Sequence, residues 1–511
     1  MHRRRKHWGW GFEDEQPEPA ELSAAAAGLA AHLGFGAREP AQPVPLEAVA
    51  LPPRRIEAPF HQDTYERALH AQGSSYLDVV RGFRGEFPHP PDAVARPRDE
   101  DELRAVLEWC SERRVAVVPV GGATSVVGGI DALPGAGHEG VVAVDLGALD
   151  RVLEVDEVSR SARIQAGASG PRLEAQLAEH GLTLRFYPQS FELSTLGGWI
   201  ATRAGGHFAT GPTHIDDLVE SVRAVTAGGE LWESRRLPAS GAGPSPDRML
   251  LGSEGTLAVI TEAWVRVQPR PGQRRSASVR FGSFPAGLAA MRDVLQSGMR
   301  PANCRLIEDR EAAITLSGDG SAHLLMLGFE GVVEPFDAAL ALCGAHGGEA
   351  EERTGSSGAW RSAFLRAPYV RDTLVAIGVL SETFETATTW DRIDGLIERV
   401  RGEVSEALGG AGSVTCRITH AYPDGAAPYF TVLAPARRGE EAEQWAAIKR
   451  VAAGAILAAG GTITHHHAVG RDHRPWYDQQ RPDPFATALI AAKAALDPQG
   501  LLNPGVLFET A

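Results

Sequence analysis

The sequence predicts an α+β chain, and three observations carry that prediction. Short β-branched runs separated by glycines crowd residues 115–267, with few helices among them. A proline- and arginine-rich joint, "PRPGQRR", falls at 269–275. Beyond it strands and longer helices alternate to about residue 455, without the strict β-α-β rhythm of a doubly wound sheet. At 511 residues the chain is too long for one ordinary core. The divisions expected are an N-terminal helical and extended segment (1–88), a strand-rich unit (89–269), a second unit (270–455) and a C-terminal segment (456–511).

Each element has its own signal. "ELSAAAAGLAAHL" (21–33) reads as an alanine-rich helix, followed by a proline-broken linker. "DEDELRAVLEWCSERRVAVVPV" has an acidic first turn, an apolar stripe of Leu103, Val106, Leu107 and Cys110, then a β-branched strand. "GVVAVDLGAL", "RVLEVDEVSRSARIQAGAS", "LVESVRAVTAGGELWE" and "GTLAVITEAWVRVQP" supply further strands. "EEAEQWAAIKRVAAGAILAAGG" and "DPFATALIAAKAALDPQG" read as helices on either side of "TITHHHAVG" (462–470).

Composition narrows the function classes. A formal charge of −15 argues against a duplex-binding protein, which needs a basic face. The four cysteines, Cys110, Cys304, Cys343 and Cys416, form no CxxC pair, so a disulfide framework and a thiolate zinc site are not expected. No apolar run approaches the ~20 residues that span a bilayer. The opening "MHRRRKHWGW" is basic, with no apolar segment behind it, and reads as a solvated tail rather than a signal or anchor. A cytoplasmic protein acting on a small-molecule or lipid-like substrate is the default, with peripheral membrane contact and a homodimer left open.

"PVGGATSVVGG" (119–129) follows a strand directly, and its glycines allow a nest of inward N–H groups for an anion such as pyrophosphate. A plain glycine turn is the competing reading, and no Walker lysine or GxGxxG helix is present. Two more segments follow, "YPQSFELSTLGGWIATRAGG" (187–206) and "MLLGSEGTLAVIT" (249–261). Together the three resemble the FAD-binding domain of the vanillyl-alcohol-oxidase/PCMH superfamily, where such motifs line one extended FAD site. The resemblance implies a PCMH-type domain over 89–269 and a substrate-binding α+β cap with an antiparallel sheet beyond it, the C-terminal segment returning to the FAD domain. By that resemblance Pro119, Val120, Gly121, Gly122, Ala123, Thr124 and Ser125 cradle the pyrophosphate. Gln189, Ser190, Phe191, Glu192, Leu193, Ser194 and Thr195, with Thr202, Arg203, Ala204 and Gly205, approach the flavin. Glu254, Gly255, Thr256, Leu257, Ala258, Val259 and Ile260 hold the cofactor's other flank. Covalent attachment in this superfamily uses a His or Cys near these loops; the first has neither, and His207 and His214 read as ordinary loop residues. Non-covalent FAD is therefore expected.

"HWGWGFEDE", "LSTLGGWIATRAGG", "PANCRLIEDRE", "PYVRDTLVAIGVLSETFETATTWDRI", "SVTCRITHAYPDGAAPYF" and "HHHAVG" resemble, nearly end to end, the alkyldihydroxyacetonephosphate synthase family. That resemblance puts Tyr429 at the catalytic acid/base tyrosine, Arg305 at the active-site arginine and Arg371 at the arginine that binds the acid or phosphate group. It places His465, His466 and His467 beside the flavin without a metal. It implies exchange of the acyl group of acyl-dihydroxyacetone phosphate for a fatty alcohol, with the flavin N5 holding the carbon skeleton. Arg417 is a further candidate for binding the acid or phosphate group, with a structural pairing the favoured reading. Read from the residues alone, a strand would set His465 and His467 on one face and His466 on the other. Proton handling is the favoured role, and zinc is the competitor, since i,i+2 histidines can ligate it with His473 nearby. Two departures point elsewhere: Ala468 replaces the family glycine, and "LDPQGLLNPGVLF" resembles the ending of D-lactate and glycolate dehydrogenases. A flavin dehydrogenase or oxidase of a 2-hydroxy acid is thus the alternative.

Overall fold

The computed structural model describes residues 3–15, 18–37, 39–208, 210–315, 317–352 and 368–509. Strands Ala93–Ala95 and Val115–Val120 run parallel to Gly140–Asp145 between them, forming a small sheet. Helix Glu100–Glu112 forms the crossover, capped by Asp99, whose side chain accepts from the Glu102 N–H. It buries Leu103, Val106, Leu107 and Cys110, the stripe its spacing predicts. Each such leucine contributes about 2 kcal/mol on burial. A second sheet, antiparallel, orders Val152–Asp156, Ser161–Gln165, Val259–Arg266, Val219–Val225 and Leu231–Glu233.

An eight-stranded antiparallel sheet follows the joint. Its order is Glu349–Glu352, Arg274–Phe281, His323–Glu330, Asn303–Ile307, Ser413–Ala421, Gly425–Pro435 and Val379–Glu385, with Thr388–Thr389 also paired to Gly425–Pro435. Strand alternation splits its residues between two environments. Cys304, Leu306, Cys416, Ile418, Phe430 and Val432 pack into the main hydrophobic core. That core also takes residues from helices Phe284–Gln296, Ile393–Ala407 and Glu441–Ala458. The alternate positions Arg305, Ser381, Thr383, Arg417, Tyr429 and Thr431 line a cavity on the opposite face. A polar wall on an otherwise apolar sheet is the first structural sign of a site.

Two local expectations fail. Residues 462–470 form no strand but an irregular loop, because the Glu385 carboxylate takes the backbone N–H groups a strand partner would take. The basic N-terminus is not a solvated tail. Lys6 pairs with Asp372 in the interior at 3.4 Å, Trp10 is 5% exposed, and Trp8 meets Phe83 edge-on at 5.1 Å. Among the described residues, no helix is long and apolar enough to cross a membrane.

Candidate functional site

The cavity, about 650 Å³, runs from the glycine loop to the histidine run. Pro119 to Ser125 all line it. Ala123 holds a left-handed φ of 50°, and among the described residues the N–H groups of Gly121, Gly122, Ala123 and Thr124 meet no acceptor of the chain. Unpaired inward donors in a strained turn are the make-up of an anion cradle. Gln189, Ser190, Ser194, Thr195, Thr202, Ala204, Gly205, Glu254, Gly255, Ala258 and Ile260 continue the wall. The second loop packs tightly behind the first: a Cβ at Gly122 would sit 2.0 Å from the Leu193 carbonyl oxygen.

Not every residue expected at the cofactor reaches the cavity. Phe191 turns away to stack on Trp199, and Glu192 accepts from the Tyr369 hydroxyl at 2.5 Å. Leu193 contributes backbone behind the wall. Arg203 pairs with Asp216, and Thr256, Leu257 and Val259 are buried in the body of the unit. Alternation along the strand from Val259 accounts for the last.

At the far end Arg305, Arg371, Arg417, His420, Tyr429, His466 and His467 converge. Arg305, 2% exposed, donates to the His207 carbonyl at 2.6 Å; burial and then Arg417 push its pKa down to about 9. It still carries its charge at neutral pH. Arg417 makes the structural pairing expected, with the fully buried Glu311. Arg371 lies on helical residues 368–376 and donates to the Ser74 carbonyl at 2.9 Å and the Thr383 hydroxyl at 3.4 Å.

The three histidines divide differently from a strand's two faces. His466 and His467 line the cavity, while His465 turns behind them to the Tyr422 hydroxyl at 2.8 Å and the His214 ring at 3.1 Å. His465 and His466 approach Nδ1 to Nδ1 at 3.0 Å. Glu385 organises the loop. Its carboxylate accepts from the N–H groups of His465 (2.6 Å), His466 (3.1 Å) and His467 (2.9 Å), and from the Thr464 hydroxyl (2.7 Å). Burial pushes this carboxyl up, but His467, His465 and those donors outweigh it and hold it at about 2. The Thr464 hydroxyl and the backbone N–H groups stabilise the carboxylate independently of imidazole charge. Burial, reinforced by neighbouring cationic and imidazole groups, keeps His420, His465 and His466 well below the usual imidazole range.

His420, Tyr422, Glu385 and Glu311 were not singled out by the sequence. A β-bulge between Ile418 and His420 turns His420 to the cavity side, and no composition signal announces a bulge. Two triads, His420/His465/His466 and Glu385/His466/His467, bring ligand-type atoms within 4.8 Å of one another. Those atoms are largely engaged: Glu385 already receives four donors, and the His465 ring nitrogens meet Tyr422, His214 and His466.

Comparison with known proteins fits this geometry. An FAD binding domain model matches residues 91–235, and a model of the C-terminal domain of FAD linked oxidases matches 270–507. An alkyldihydroxyacetonephosphate synthase of Caenorhabditis elegans is 30% identical over 488 residues, spanning 88% of this chain and 81% of that protein. The chain belongs to the alkyldihydroxyacetonephosphate synthase family. The synthase of Trypanosoma brucei brucei is 27% identical over 505 residues, 90% of this chain and 82% of its own. A solved alkyldihydroxyacetonephosphate synthase structure shares the fold, with TM-score 0.81 and 23% identity over 98% of this chain and 97% of that one. A member of this FAD-linked family is an FAD-dependent enzyme, and the donor-lined cradle with a long adjoining cavity fits that cofactor.

Proposed function

We propose that the protein exchanges the acyl group of an acyl-dihydroxyacetone phosphate for a fatty alcohol, yielding alkyl-dihydroxyacetone phosphate. The observation that carries this reading is the convergence of Tyr429, His466, His467 and Arg305 in a cavity continuous with the glycine-loop cradle. Residues 89–269 would hold non-covalent FAD, and 270–455 the substrate. FAD, when bound, supplies an electron-deficient ring beside the reacting carbon. Tyr429 moves the proton on that carbon, from a ring that is 4% exposed and faces Arg417. His466 and His467, held neutral, accept and return a proton near the leaving carboxylate. Arg305 and Arg371 meet the phosphate or carboxylate, which a guanidinium fork suits. Trp10, Leu29, Ile307, Ile314 and Leu374 line an apolar stretch of the same cavity that suits an alkyl chain.

Exchange and net oxidation separate in an anaerobic mixing experiment. With acyl-dihydroxyacetone phosphate, partial loss of flavin absorbance with fatty-acid release, recovered on adding a fatty alcohol, supports exchange. Full bleaching by a 2-hydroxy acid, recovered only by an electron acceptor, overturns it in favour of a dehydrogenase.

A further inference from the structure

Beyond Trp10 lining the cavity, the "HWGWG" run takes no part in the chemistry above, yet the fold gives it and the basic residues before it a specific place. Residues 5–11 form a strap across the two halves of the molecule. The strap is tied to the cap at Asp372: Lys6 pairs with it at 3.4 Å, and the Trp10 N–H donates to both of its carboxylate oxygens, at 3.1 and 2.9 Å. Gly9 and Gly11 hold φ of 65° and 93°, and a Cβ on either would collide, at 2.6 Å with Asp372 and 2.5 Å with the Tyr369 ring. Here glycine is required both by backbone hand and by contact.

The residue before Lys6 lies on the cofactor loop. Arg5 Nη1 donates to the Gly122 carbonyl at 2.5 Å, while the Tyr65 hydroxyl anchors the Arg5 carbonyl at 3.0 Å. Arg5 Nε is buried without a hydrogen-bond partner, and among the described residues no carboxylate lies within 4.0 Å of the guanidinium. Asp145 faces this part-buried cation only at longer range, so the placement of the guanidinium calls for a reason. The peptide plane supplies one. A trans peptide points its C=O and the following N–H in opposite directions. Holding the Gly122 carbonyl toward Arg5 therefore holds the Ala123 N–H away from it, and Ala123 lines the cavity with a strained φ of 50°. The cation also polarises that peptide, making its N–H a stronger donor to an anion.

We propose that Arg5 is a positioning residue for the FAD pyrophosphate, acting through the Gly122–Ala123 peptide, and that the N-terminal strap is a working part of the cofactor site. The inference rests on FAD binding and not on the exchange reaction, so it survives if the substrate proves different. It is tested by stripping the full-length protein of FAD, titrating FAD back, and following flavin fluorescence quenching, with the apo-protein Tm measured beside it. Arg5→Met should weaken FAD binding by about 10- to 100-fold, the range for losing a hydrogen bond from a charged group, with Arg5→Lys falling between. Apo Tm should stay within a few degrees. Lys6→Met loosens the strap's tie to the cap and should leave FAD affinity within about threefold. An Arg5→Met affinity equal to wild type overturns the proposal. So does an equal loss in Lys6→Met, which would assign the effect to strap docking rather than to the guanidinium.

Discussion

The guanidinium carbon of Arg417 lies 4.0 Å from the centroid of the Tyr429 ring, and the two residues are direct cross-strand partners in the large sheet. Glu385 pairs with Tyr429 from the strand on its other side. Sheet register thus sets a cation, a phenol and a buried carboxylate in one row, and the carboxylate carries the histidine loop. Tyr429→Phe keeps the ring and its packing, so FAD should remain bound while turnover falls about 10²–10⁴-fold, the usual loss for a general acid/base. Unchanged turnover in steady-state assays would show that the tyrosine is not the acid/base.

Much of this arrangement was legible before any coordinates. The stripe of Leu103, Val106, Leu107 and Cys110, and the glycine loop after a strand, followed from spacing alone. Tyr429 was legible only through family resemblance, since a buried tyrosine on a sheet is otherwise packing. What stayed hidden depends on tertiary partners. No local pattern tells the histidine run that a carboxylate about eighty residues earlier will replace its strand neighbour. No charge pattern tells Lys6 that Asp372 awaits it in the interior.

The histidine run should act without a metal. Of the atoms that would ligate an ion, those of Glu385, His420 and His465 already meet protein donors and acceptors. Elemental analysis of active protein should find no stoichiometric zinc, and dialysis against a chelator should leave turnover intact. One zinc per chain whose removal abolishes activity would transfer these residues to the dehydrogenase-like alternative.

Glu254 predicts a pH effect with a definite sign. Burial pushes its carboxyl up to about 7, against the opposing N–H groups of Val469 and Gly470. A carboxyl whose folded pKa lies above its unfolded value of about 4.5 favours the fold when protonated. That contribution is complete below about pH 4.5 and is lost as pH rises through 7, about 3 kcal/mol in all at 1.36 kcal/mol per unit. Glu254→Gln cannot ionise, so wild type should lose stability relative to it between pH 5 and 8. Parallel Tm profiles of the two proteins over that range would show that Glu254 is not titrating there.

Ala468, where the family has glycine, keeps the glycine backbone. Its φ is 74°, it is 8% exposed, and its carbonyl accepts from His473 Nδ1 at 2.9 Å. The departure therefore changes strain rather than path: an L-residue in the left-handed region costs about 1–2 kcal/mol. Part of that relief is returned as unfolded-state entropy when glycine is introduced, about 0.4–1 kcal/mol. Ala468→Gly should thus raise stability by between zero and about 1.6 kcal/mol and leave turnover and substrate choice unchanged. Ala468→Val adds β-branching at the same φ and should destabilise by more than 1 kcal/mol in urea unfolding. If Ala468→Gly instead switched the enzyme between exchange and hydroxy-acid oxidation, the residue would be a determinant of substrate and not a strained turn.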